Sequence, residues 1–571
     1  MQVVDREHVE ERYKWDLSDI FADDGEFLSA LERAQDIPRA YREHEASACG
    51  SAEGLYAFLC MDEAADVELG KLSNYAQRRA DEDTRVALYQ DYSSRVSSLC
   101  VKVAEAGSWF DSQLLALDPE VLESYFAQCP GLARFRRLVG RILAQRDHVL
   151  PAREEALLAA AGELAYQPEN IFSMFSDADL SFPDATDSAG CAHAVTHGTY
   201  VPLLRSRDRE LRKSAFESLY GVYGSYRNTF AAVLASQVKQ LKFFSAARRY
   251  DTSLECSLAA NEVPVEVYAN LIEAVHANMA PMYRYVELRK RLLGLDELHF
   301  WDLHVPMVSG FEMRFTYEEA CETVLRALEP MGERYLDIVR KGLSERWVDV
   351  YENPGKCSGA YSAGGYGMHP VILMNFQGTL DDVFTLAHEM GHSVHTYLSC
   401  ANQPPCYSSY PIFVAEVAST CNEALLMDHL LKHASSDAER AYLIDHHLEQ
   451  FRSTLYRQCM FAEFERAVGE MNDRGEGITA DALCDVYRDL NGLYYGPGAV
   501  LDEEISLEWA RIPHFYYDYY VYQYSTGYAA AIALSRRILE EGAPAVEDYL
   551  GFLSGGCSKP PIDLLAAPGS T

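Results

Sequence analysis

Apolar residues recur at three- and four-residue spacing along most of the chain, and this period predicts a mainly helical protein. The pattern runs from about Asp24 to Leu143 and returns over residues 206–230 and 265–294. Pro, Gly, Asp and Ser interrupt it between Phe182 and Pro202, where a small hairpin is predicted instead. No repeat of fixed period and no low-complexity tract is evident in the sequence.

A second departure from the helical period lies between Lys356 and Gly378, where glycines precede the apolar run Val371–Phe376. This composition predicts turns and a short strand. Gly364, Gly365 and Gly367 would let a ligand approach the backbone closely. The alternative is an ordinary hairpin that packs on the next helix.

The segment Gly378–Ser399 predicts a helix that Thr379 and Asp382 open as a capping box. It contains His388-Glu389-Met390-Gly391-His392, a signature of zinc hydrolases. In a helix the two histidines lie one turn apart on one face, so both imidazoles can bind one ion. Glu389 projects beside that face and can reach a metal-bound water. The alternative is a buried helix that carries histidines without a metal.

A hydrolytic zinc site needs a third protein ligand and an open position for water. The segment Pro411–Leu431 predicts a second helix, in which Glu416 and Glu423 lie two turns apart on an otherwise apolar face. We expect Glu416 to be the third ligand and Glu423 to orient a ligand histidine. One Zn²⁺ per chain is predicted, since two imidazoles and one carboxylate favour zinc over manganese or cobalt.

Three histidines outside this segment carry no predicted role in catalysis. His193 and His197 are spaced like ligands, but no carboxylate motif accompanies them, so structural or solvent-facing positions are expected. His369 precedes a proline, and no function is assigned to it.

Seven tyrosines occur between Arg511 and Tyr528, more than packing commonly requires. Peptide hydrolysis passes through a tetrahedral oxyanion, which phenol and imidazole groups can stabilise by about 3 kcal/mol each. An aromatic helix face in the core is the alternative for any single tyrosine.

The octapeptide HEMGHSVH, followed by FVAEVASTCNE, resembles the thimet oligopeptidase family of zinc metallopeptidases, and most closely its oligoendopeptidase F branch. Residues Trp15–Phe21 (WDLSDIF), the Trp301-Asp302-Leu303 patch and the C-terminal segment from Gly551 extend the resemblance over nearly the whole chain. It implies that His388, His392 and Glu416 hold zinc and that Glu389 is the catalytic base. His395 matches a further family histidine that is not usually a ligand.

The resemblance also extends to the tyrosine-rich tract. His514 matches a family histidine that binds substrate and the transition state, and Tyr519 and Tyr522 best match the accompanying tyrosines. The spacing between histidine and tyrosines is shorter here than in the thimet pattern, so Tyr516 and Tyr520 remain rivals.

The fold that the resemblance implies is mainly α, a two-lobed zincin metallopeptidase with a deep central channel and a small β-sheet beside the zinc helix. We expect an N-terminal helical lid or wall domain at residues 1–115, a helical and hairpin connecting region at 116–199 and a catalytic domain at 200–571. In zincins the strand before the zinc helix lies along the cleft, where an extended substrate can add to its edge.

Composition narrows the possible partners. The 571 residues are 48% hydrophobic, which suits a large core, and the formal net charge is −36. Such a charge disfavours nucleic acids and anionic membranes as partners. Short peptides are the partners that the family resemblance implies. The N-terminus has no apolar signal-peptide core, and no apolar run approaches the length needed to cross a bilayer. The fourteen scattered cysteines suggest reduced thiols, so we expect a cytoplasmic protein.

Together these observations predict a zinc endopeptidase that cuts internal bonds of short peptides, with Glu389 as general base. Two alternatives remain open. The protein could be an exopeptidase of the same fold that releases dipeptides, for which Arg511 or Lys356 could hold a substrate terminus. It could also be a catalytically silent peptide-binding protein.

Overall fold

Helices dominate the chain, as the sequence predicts. The computed structural model describes residues 4–308 and 310–566. Within these residues the α-helices are α1 (Asp24–Ala34), α2 (Ile37–His44), α3 (Ala52–Glu82), α4 (Ala87–Gly107), α5 (Phe110–Ala116), α6 (Pro119–Gln128), α7 (Arg136–Ala144), α8 (Ala152–Ala165), α9 (Gln167–Ser173), α10 (His197–Leu204), α11 (Arg209–Ser225), α12 (Arg227–Ala247), α13 (Ser253–Ala260), α14 (Val265–Ala277), α15 (Met279–Leu292), α16 (Tyr317–Ala327), α17 (Gly332–Ser344), α18 (Leu380–Asn402), α19 (Ile412–His433), α20 (Asp437–Gln450), α21 (Arg457–Asp473), α22 (Ala480–Tyr495), α23 (Tyr522–Glu541), α24 (Ala543–Leu553) and α25 (Pro561–Ala566).

Two compact units divide the chain, and each collects segments that are distant in sequence. The first unit contains the chain up to Val149, Glu312–His433 and the part from Ala530 onward. The second contains Leu150–Phe311 and Ala434–Ala529. These units cut the chain at positions other than 115/116 and 199/200, so the three-domain division stays a prediction.

The predicted hairpin is present in the second unit. Strands β1 (Ala185–Thr186) and β2 (Ala192–His193) pair antiparallel. The side chain of Asp187 accepts backbone N–H bonds from Ala189 and Cys191, which closes the turn between the strands.

The small sheet predicted before the zinc helix is present in the first unit. It contains β3 (Val348–Asp349), β4 (Tyr361–Ala363) and β5 (Val371–Leu373) in the order β3-β5-β4. Strand β5 is central, parallel to β3 and antiparallel to β4. One edge of β4 is therefore unpaired within the sheet. The observed strand β5 ends at Leu373 and is therefore shorter than the apolar run Val371–Phe376.

The core of the first unit explains the N-terminal motif. Trp15, Leu17, Ile20 and Phe21 are all buried in one apolar cluster with residues of α1 to α7. Val371 and Leu373 of β5 belong to the same cluster. The motif therefore packs the N-terminal helices against the sheet that precedes the helix starting at Leu380.

Helices α18 and α19 correspond to the two predicted site helices. The capping box is confirmed, because Asp382 N donates to Thr379 Oγ1 at 3.2 Å and Thr379 N donates to Asp382 Oδ2 at 2.8 Å. Helix α18 begins one residue after its cap and runs three residues beyond the predicted end. Helix α19 likewise extends the predicted segment by two residues.

Two further sequence features have structural counterparts. None of the fourteen cysteines forms a disulfide, as expected. Within the described residues, no helix combines the length and apolar character that crossing a lipid bilayer requires.

Candidate metal centre

The two site helices bring the three predicted ligands together in the first unit. One candidate ligand atom from each of His388, His392 and Glu416 lies within 4.8 Å of the others. Nε2 of His388 is 3.3 Å from Oε2 of Glu416, and Nε2 of His392 is 3.7 Å from the same oxygen. Among the described residues this is the only such cluster of three or more potential ligands.

The spacing of these atoms fits a tetrahedral zinc ion. Ligands about 2.0–2.1 Å from zinc stand roughly 3.3 Å apart in a tetrahedral site. Two nitrogens and one oxygen are the donor set of many catalytic zinc sites, which leave a fourth position for water. The residues present therefore fit the metal that the sequence predicts.

Two contacts orient the candidate ligands. His388 Nδ1 lies 2.5 Å from Oε1 of Glu423, so Nε2 is the nitrogen left for a metal. The Ser419 hydroxyl donates to Oε2 of Glu416 at 3.1 Å. The predicted contact between Glu423 and a ligand histidine is therefore present.

Electrostatics in the cluster depend on burial and on the neighbouring charges. Burial lowers the pKa of His392 to about 4, helped by the adjacent His388. Burial alone would lower the pKa of His388 too, but hydrogen bonds to Glu416 and Glu423 raise it well above its usual value. Burial would raise the pKa of Glu416, but the two histidines lower it to about 2. The ligand carboxylate is thus held in its ionised form.

Glu389 is buried beside the cluster, with only 6% of its surface exposed. Its Oε2 atom has no hydrogen-bond partner among the described residues. Burial raises its pKa to about 7, and the charge of Glu416 adds to that effect, while His388 opposes it. A buried carboxylate oxygen without a partner is costly, and this one is free to accept a proton from a water molecule.

Gly391 explains why α18 and α19 can cross so closely. A Cβ atom at this position would lie 2.6 Å from Cα of Ser419 and 2.7 Å from the carbonyl oxygen of Ala418. Near the crossing, Asn422 Nδ2 donates to the carbonyl of Ala387 at 3.0 Å. The element that approaches Gly391 closely is therefore α19.

The edge strand β4 runs beside the metal helix. Ser362 of β4 and Ser393 of α18 are hydrogen-bonded through their hydroxyls at 2.8 Å. The backbone of Ser362 also contributes a hydrogen bond that acts on the Glu389 carboxylate. The sheet edge, the candidate base and the ligands thus belong to one local structure.

The glycines before β5 make close contacts within the protein. A Cβ atom on Gly364 would come within 3.1 Å of Cα of Pro370 and of Cγ2 of Thr396. Gly367 has a φ of +77°, which favours glycine. Packing and turn geometry therefore account for these two positions.

His514 and the predicted tyrosines lie in the second unit. His514 is in a 3-10 turn, Pro513–Tyr516, and α23 begins only at Tyr522. Burial and the nearby Arg457 lower the pKa of His514, so its imidazole is neutral at neutral pH and keeps one N–H donor.

Five of the seven tyrosines of this tract fall into two groups. Tyr519 and Tyr522 are buried, and the Tyr519 hydroxyl is hydrogen-bonded to that of Ser253 at 3.0 Å. Their assignment to catalysis stays a prediction, although burial favours a packing role. The rings that surround His514 are instead those of three others, Tyr517, Tyr520 and Tyr524, with centroids 5.5–6.4 Å from its ring.

A strained turn lies within the tract, between Tyr517 and Tyr520. Asp518 and Tyr519 have φ values of +53° and +58°, a region that costs non-glycine residues of order 1–3 kcal/mol. The turn is held by Glu465, which accepts from Tyr519 N at 3.2 Å, and by Gln237, which donates to Asp518 Oδ1 at 3.1 Å. Because of this turn, the tract does not form one continuous helix.

The remaining histidines fall outside the ligand cluster. His395 is fully buried and stacks on Tyr410 with ring centroids 3.6 Å apart, and burial lowers its pKa to about 3. His193 bonds to Asp187 at 2.8 Å, and His197 bonds to the carbonyl of Ser176 at 3.0 Å.

Sequence reasoning missed several residues that shape these sites. Ser419 and Asn422 follow Glu416 on a buried helix, where a polar residue among apolar ones is the available signal. Arg452, Arg457 and His304 line a cavity together with His514, but no local motif marks them, because they come from different parts of the chain.

Comparison with known proteins covers nearly the whole chain. A model of peptidase family M3 matches residues 202–570, and a model of oligopeptidase F matches residues 113–182. Oligopeptidase PepF of Bacillus subtilis is 42% identical, with 100% of this chain and 85% of that protein aligned. An oligoendopeptidase F homologue of Lactococcus lactis is 38% identical over 99% of this chain and 94% of its own.

A solved structure supports the same family assignment. The crystal structure of oligoendopeptidase-F from Enterococcus faecium superposes with a TM-score of 0.73 at 36% identity. The match covers 96% of this chain and 94% of that one. The resemblance predicted from the sequence motifs is therefore confirmed.

Proposed function

This chain belongs to peptidase family M3 and is a metallopeptidase that acts on oligopeptides, and from that we propose that it is a zinc-dependent endopeptidase hydrolysing internal bonds of short peptides. One observation carries the proposal. The partnerless carboxylate oxygen of Glu389 is buried beside two imidazoles and a carboxylate that are spaced for one metal ion.

His388, His392 and Glu416 would hold the zinc ion. When bound, zinc polarises the scissile carbonyl and lowers the pKa of a water molecule to about 7. Glu423 keeps the His388 ring in the orientation that turns Nε2 toward the metal position.

Glu389 acts as general base and then as general acid. Its carboxylate takes a proton from the attacking water and returns it to the departing amine. Burial holds its pKa near neutrality, at about 7, which suits a group that must both accept and donate a proton.

The substrate would bind in an extended form along β4. Only one edge of this strand pairs within the sheet, so its other edge can hydrogen-bond to a peptide backbone. Since such pairing needs an extended chain, we expect short unstructured peptides as substrates and exclusion of folded proteins.

His514 and a tyrosine are proposed as donors to the oxyanion, on the strength of the family resemblance. A neutral imidazole retains an N–H donor for this purpose. The partly exposed Tyr520 and Tyr524 are better placed to meet a ligand than the buried Tyr519 and Tyr522.

The decisive test uses an internally quenched peptide that is blocked at both termini. We expect the zinc-loaded protein to cut it at an internal bond, with activity lost to a chelator and restored by zinc. Glu389→Gln should bind zinc as the parent does but lose about 10²–10⁴-fold in kcat/KM. Glu322→Gln, an exposed glutamate paired with Arg326, is the matched control and should remain fully active.

Other outcomes separate the alternatives. Full turnover by Glu389→Gln would overturn the role of that residue as base. A zinc-loaded parent that binds the peptide without cutting it would identify a silent binding protein. Cleavage only of peptides with a free terminus would identify an exopeptidase. Lys356 offers no support for that activity, because its ammonium group is buried 2.7 Å from Asp349.

A further inference from the structure

A cavity of about 540 Å³ lies within the second unit. Its volume is in the range of small-ligand sites. Aromatic rings line it, including those of Tyr200, Phe216 and Tyr220. Three guanidinium groups share these walls, from Arg452, Arg457 and Arg511. Such a combination of apolar walls and cations suits a ligand with an apolar body and a negative charge.

Two of the arginines share a single carboxylate. Arg457 Nη2 donates to Oε1 of Glu508 at 2.7 Å, and Arg511 Nη1 donates to the same oxygen at 3.4 Å. The other oxygen of Glu508 accepts from the Tyr487 hydroxyl at 2.6 Å. A guanidinium carries five N–H donors, and each of these two makes one hydrogen bond to a described residue. Most of their donors therefore remain for a ligand.

A second pair of arginines also shares a single carboxylate. Arg452 and Arg289 both pair with Glu449, at 2.8 and 2.9 Å. The three guanidinium groups of the cavity wall thus face two carboxylates, one of which, Glu449, also pairs with Arg289, and this leaves an excess of positive charge in a largely buried place. Uncompensated buried charge is costly, and a bound anion would relieve it. The cavity-lining His304 responds to this potential, because burial and four surrounding arginines lower its pKa well below the usual value.

Two acidic residues, Glu169 and Asp177, also line the cavity. Asp177 is exposed to solvent, and Ser173 donates a hydrogen bond to it at 3.0 Å. Glu169 is partly exposed. Solvent screens charges at such positions far more than it screens those of the buried arginines. The interior of the cavity therefore stays cationic.

We propose that this cavity is a specificity subsite for a carboxylate carried by the peptide substrate, either its C-terminus or an Asp or Glu side chain. This inference rests on the proposed function. His514 and Tyr517 line the same cavity, so a peptide that contacts His514 can extend a neighbouring group toward the arginines. Guanidinium groups bind carboxylates in a bidentate manner, and the aromatic walls can bury the rest of the residue.

Because the net charge is −36, the protein as a whole should not favour peptides that carry a carboxylate. A protein of this charge repels acidic peptides in general, so a preference for a carboxylate requires a local cationic site.

The test with the parent protein compares quenched peptides that differ in one group. One pair has a free or an amidated C-terminus, and a second series places Glu or Gln at each position of an amidated peptide. We expect one carboxylate to raise kcat/KM by about 10- to 100-fold over its neutral counterpart. The arm that responds identifies the source of the carboxylate.

Variants then locate the preference. Arg511→Gln should reduce the ratio between charged and neutral peptides toward one through a loss of kcat/KM for the charged peptide. Glu508 keeps Arg457 as a partner in this variant, so no new unpaired carboxylate is created. Arg248→Gln is the matched control, because Arg248 is half-buried in the same unit, pairs with Glu155 and is not among the described lining residues. It should keep the full ratio.

Equal rates for every charged and neutral pair in the parent protein would overturn the subsite and leave the endopeptidase proposal intact. A preference that persists in a folded Arg511→Gln variant and also in Arg457→Gln would overturn it too. If no peptide is cut, the proposed function fails. In that case, calorimetry with N-acetylphenylalanine and its amide tests the subsite separately. The subsite requires the acid to bind at least about 10-fold more tightly than the amide.

Discussion

The carboxylate of Glu389 is buried with one oxygen that has no hydrogen-bond partner among the described residues, which is rare in folded proteins. Burial without a hydrogen bond to one of its oxygens costs of the order of 1–3 kcal/mol or more. Glu423 lies on the facing helix, and its Oε1 atom is hydrogen-bonded to Nδ1 of His388. This contrast is the one expected between the proposed base and a residue that orients a candidate ligand.

The tyrosines near His514 give a prediction at the residue scale. A Tyr→Phe change removes only a hydroxyl, so a donor to the oxyanion should lose about 10²–10³-fold in kcat with little change in thermal stability. We expect this result for Tyr520→Phe or Tyr524→Phe, measured by kcat and thermal unfolding.

The buried tyrosines are the controls for that series. Tyr519→Phe should affect stability more than kcat, because its hydroxyl is bonded to Ser253. A loss of kcat confined to Tyr519→Phe and Tyr522→Phe would instead support the assignment made from sequence.

At the scale of elements, the crossing of α18 and α19 decides whether the candidate ligands meet. Each helix follows from its own sequence, since Thr379 caps the first and apolar residues cover much of both. Their separation depends on Gly391, where no side chain stands between the two backbones. Ligand geometry is therefore a property of the helix pair.

Gly391→Ala tests this dependence. The added methyl group would meet backbone atoms at 2.6–2.9 Å, so the helices must move apart at a cost of about 1–3 kcal/mol. We expect a lower unfolding temperature and weaker zinc binding in a chelator competition.

Gly70→Ala is the matched control, since Gly70 lies within α3 and nothing stands within 4 Å of the added atom. It should be neutral or stabilising by up to about 1 kcal/mol. Unchanged zinc affinity in Gly391→Ala would contradict the role of the crossing.

At the scale of the whole molecule, contacts between distant segments assemble each unit. Asp349 of β3 is 1% exposed and accepts hydrogen bonds from Arg6 at 2.6 and 3.1 Å. Lys356 lies 2.7 Å from the same carboxylate. This buried group joins the N-terminal segment to the sheet beside the metal helix.

Asp349→Asn should destabilise the first unit by about 3–5 kcal/mol at pH 7, because the fully buried Lys356 loses its carboxylate partner and Arg6 keeps only Glu82. Burial would raise the pKa of Asp349, but Lys356 and Arg6 hold it below its usual value. The carboxylate therefore stabilises the fold above its unfolded pKa of about 3.9 and loses that effect as the pH falls. Thermal unfolding should show a difference from the parent that is full at pH 7 and shrinks below about pH 4.

Asp337→Asn provides the comparison, since this aspartate forms an exposed pair with Arg340 and should change stability by no more than about 1 kcal/mol. An Asp349 variant as stable as this one at pH 7 would contradict the proposed contribution of the buried group.

The sequence by itself determined the features that depend on local spacing. Helical period, the capping box and the one-turn separation of His388 and His392 follow from neighbours along the chain. The family resemblance followed from short motifs of the same kind. These features are set by backbone geometry within a few residues, which a sequence states directly.

Only the tertiary structure decided which distant groups share a space. It placed Tyr517, Tyr520 and Tyr524 around His514, while Tyr519 turned into the core through two left-handed residues. It also brought Arg452, Arg457, Arg511 and His304 into one cavity from segments that share no motif. The physical reason is that burial and charge balance depend on contacts between segments far apart in the chain, and local spacing does not encode them.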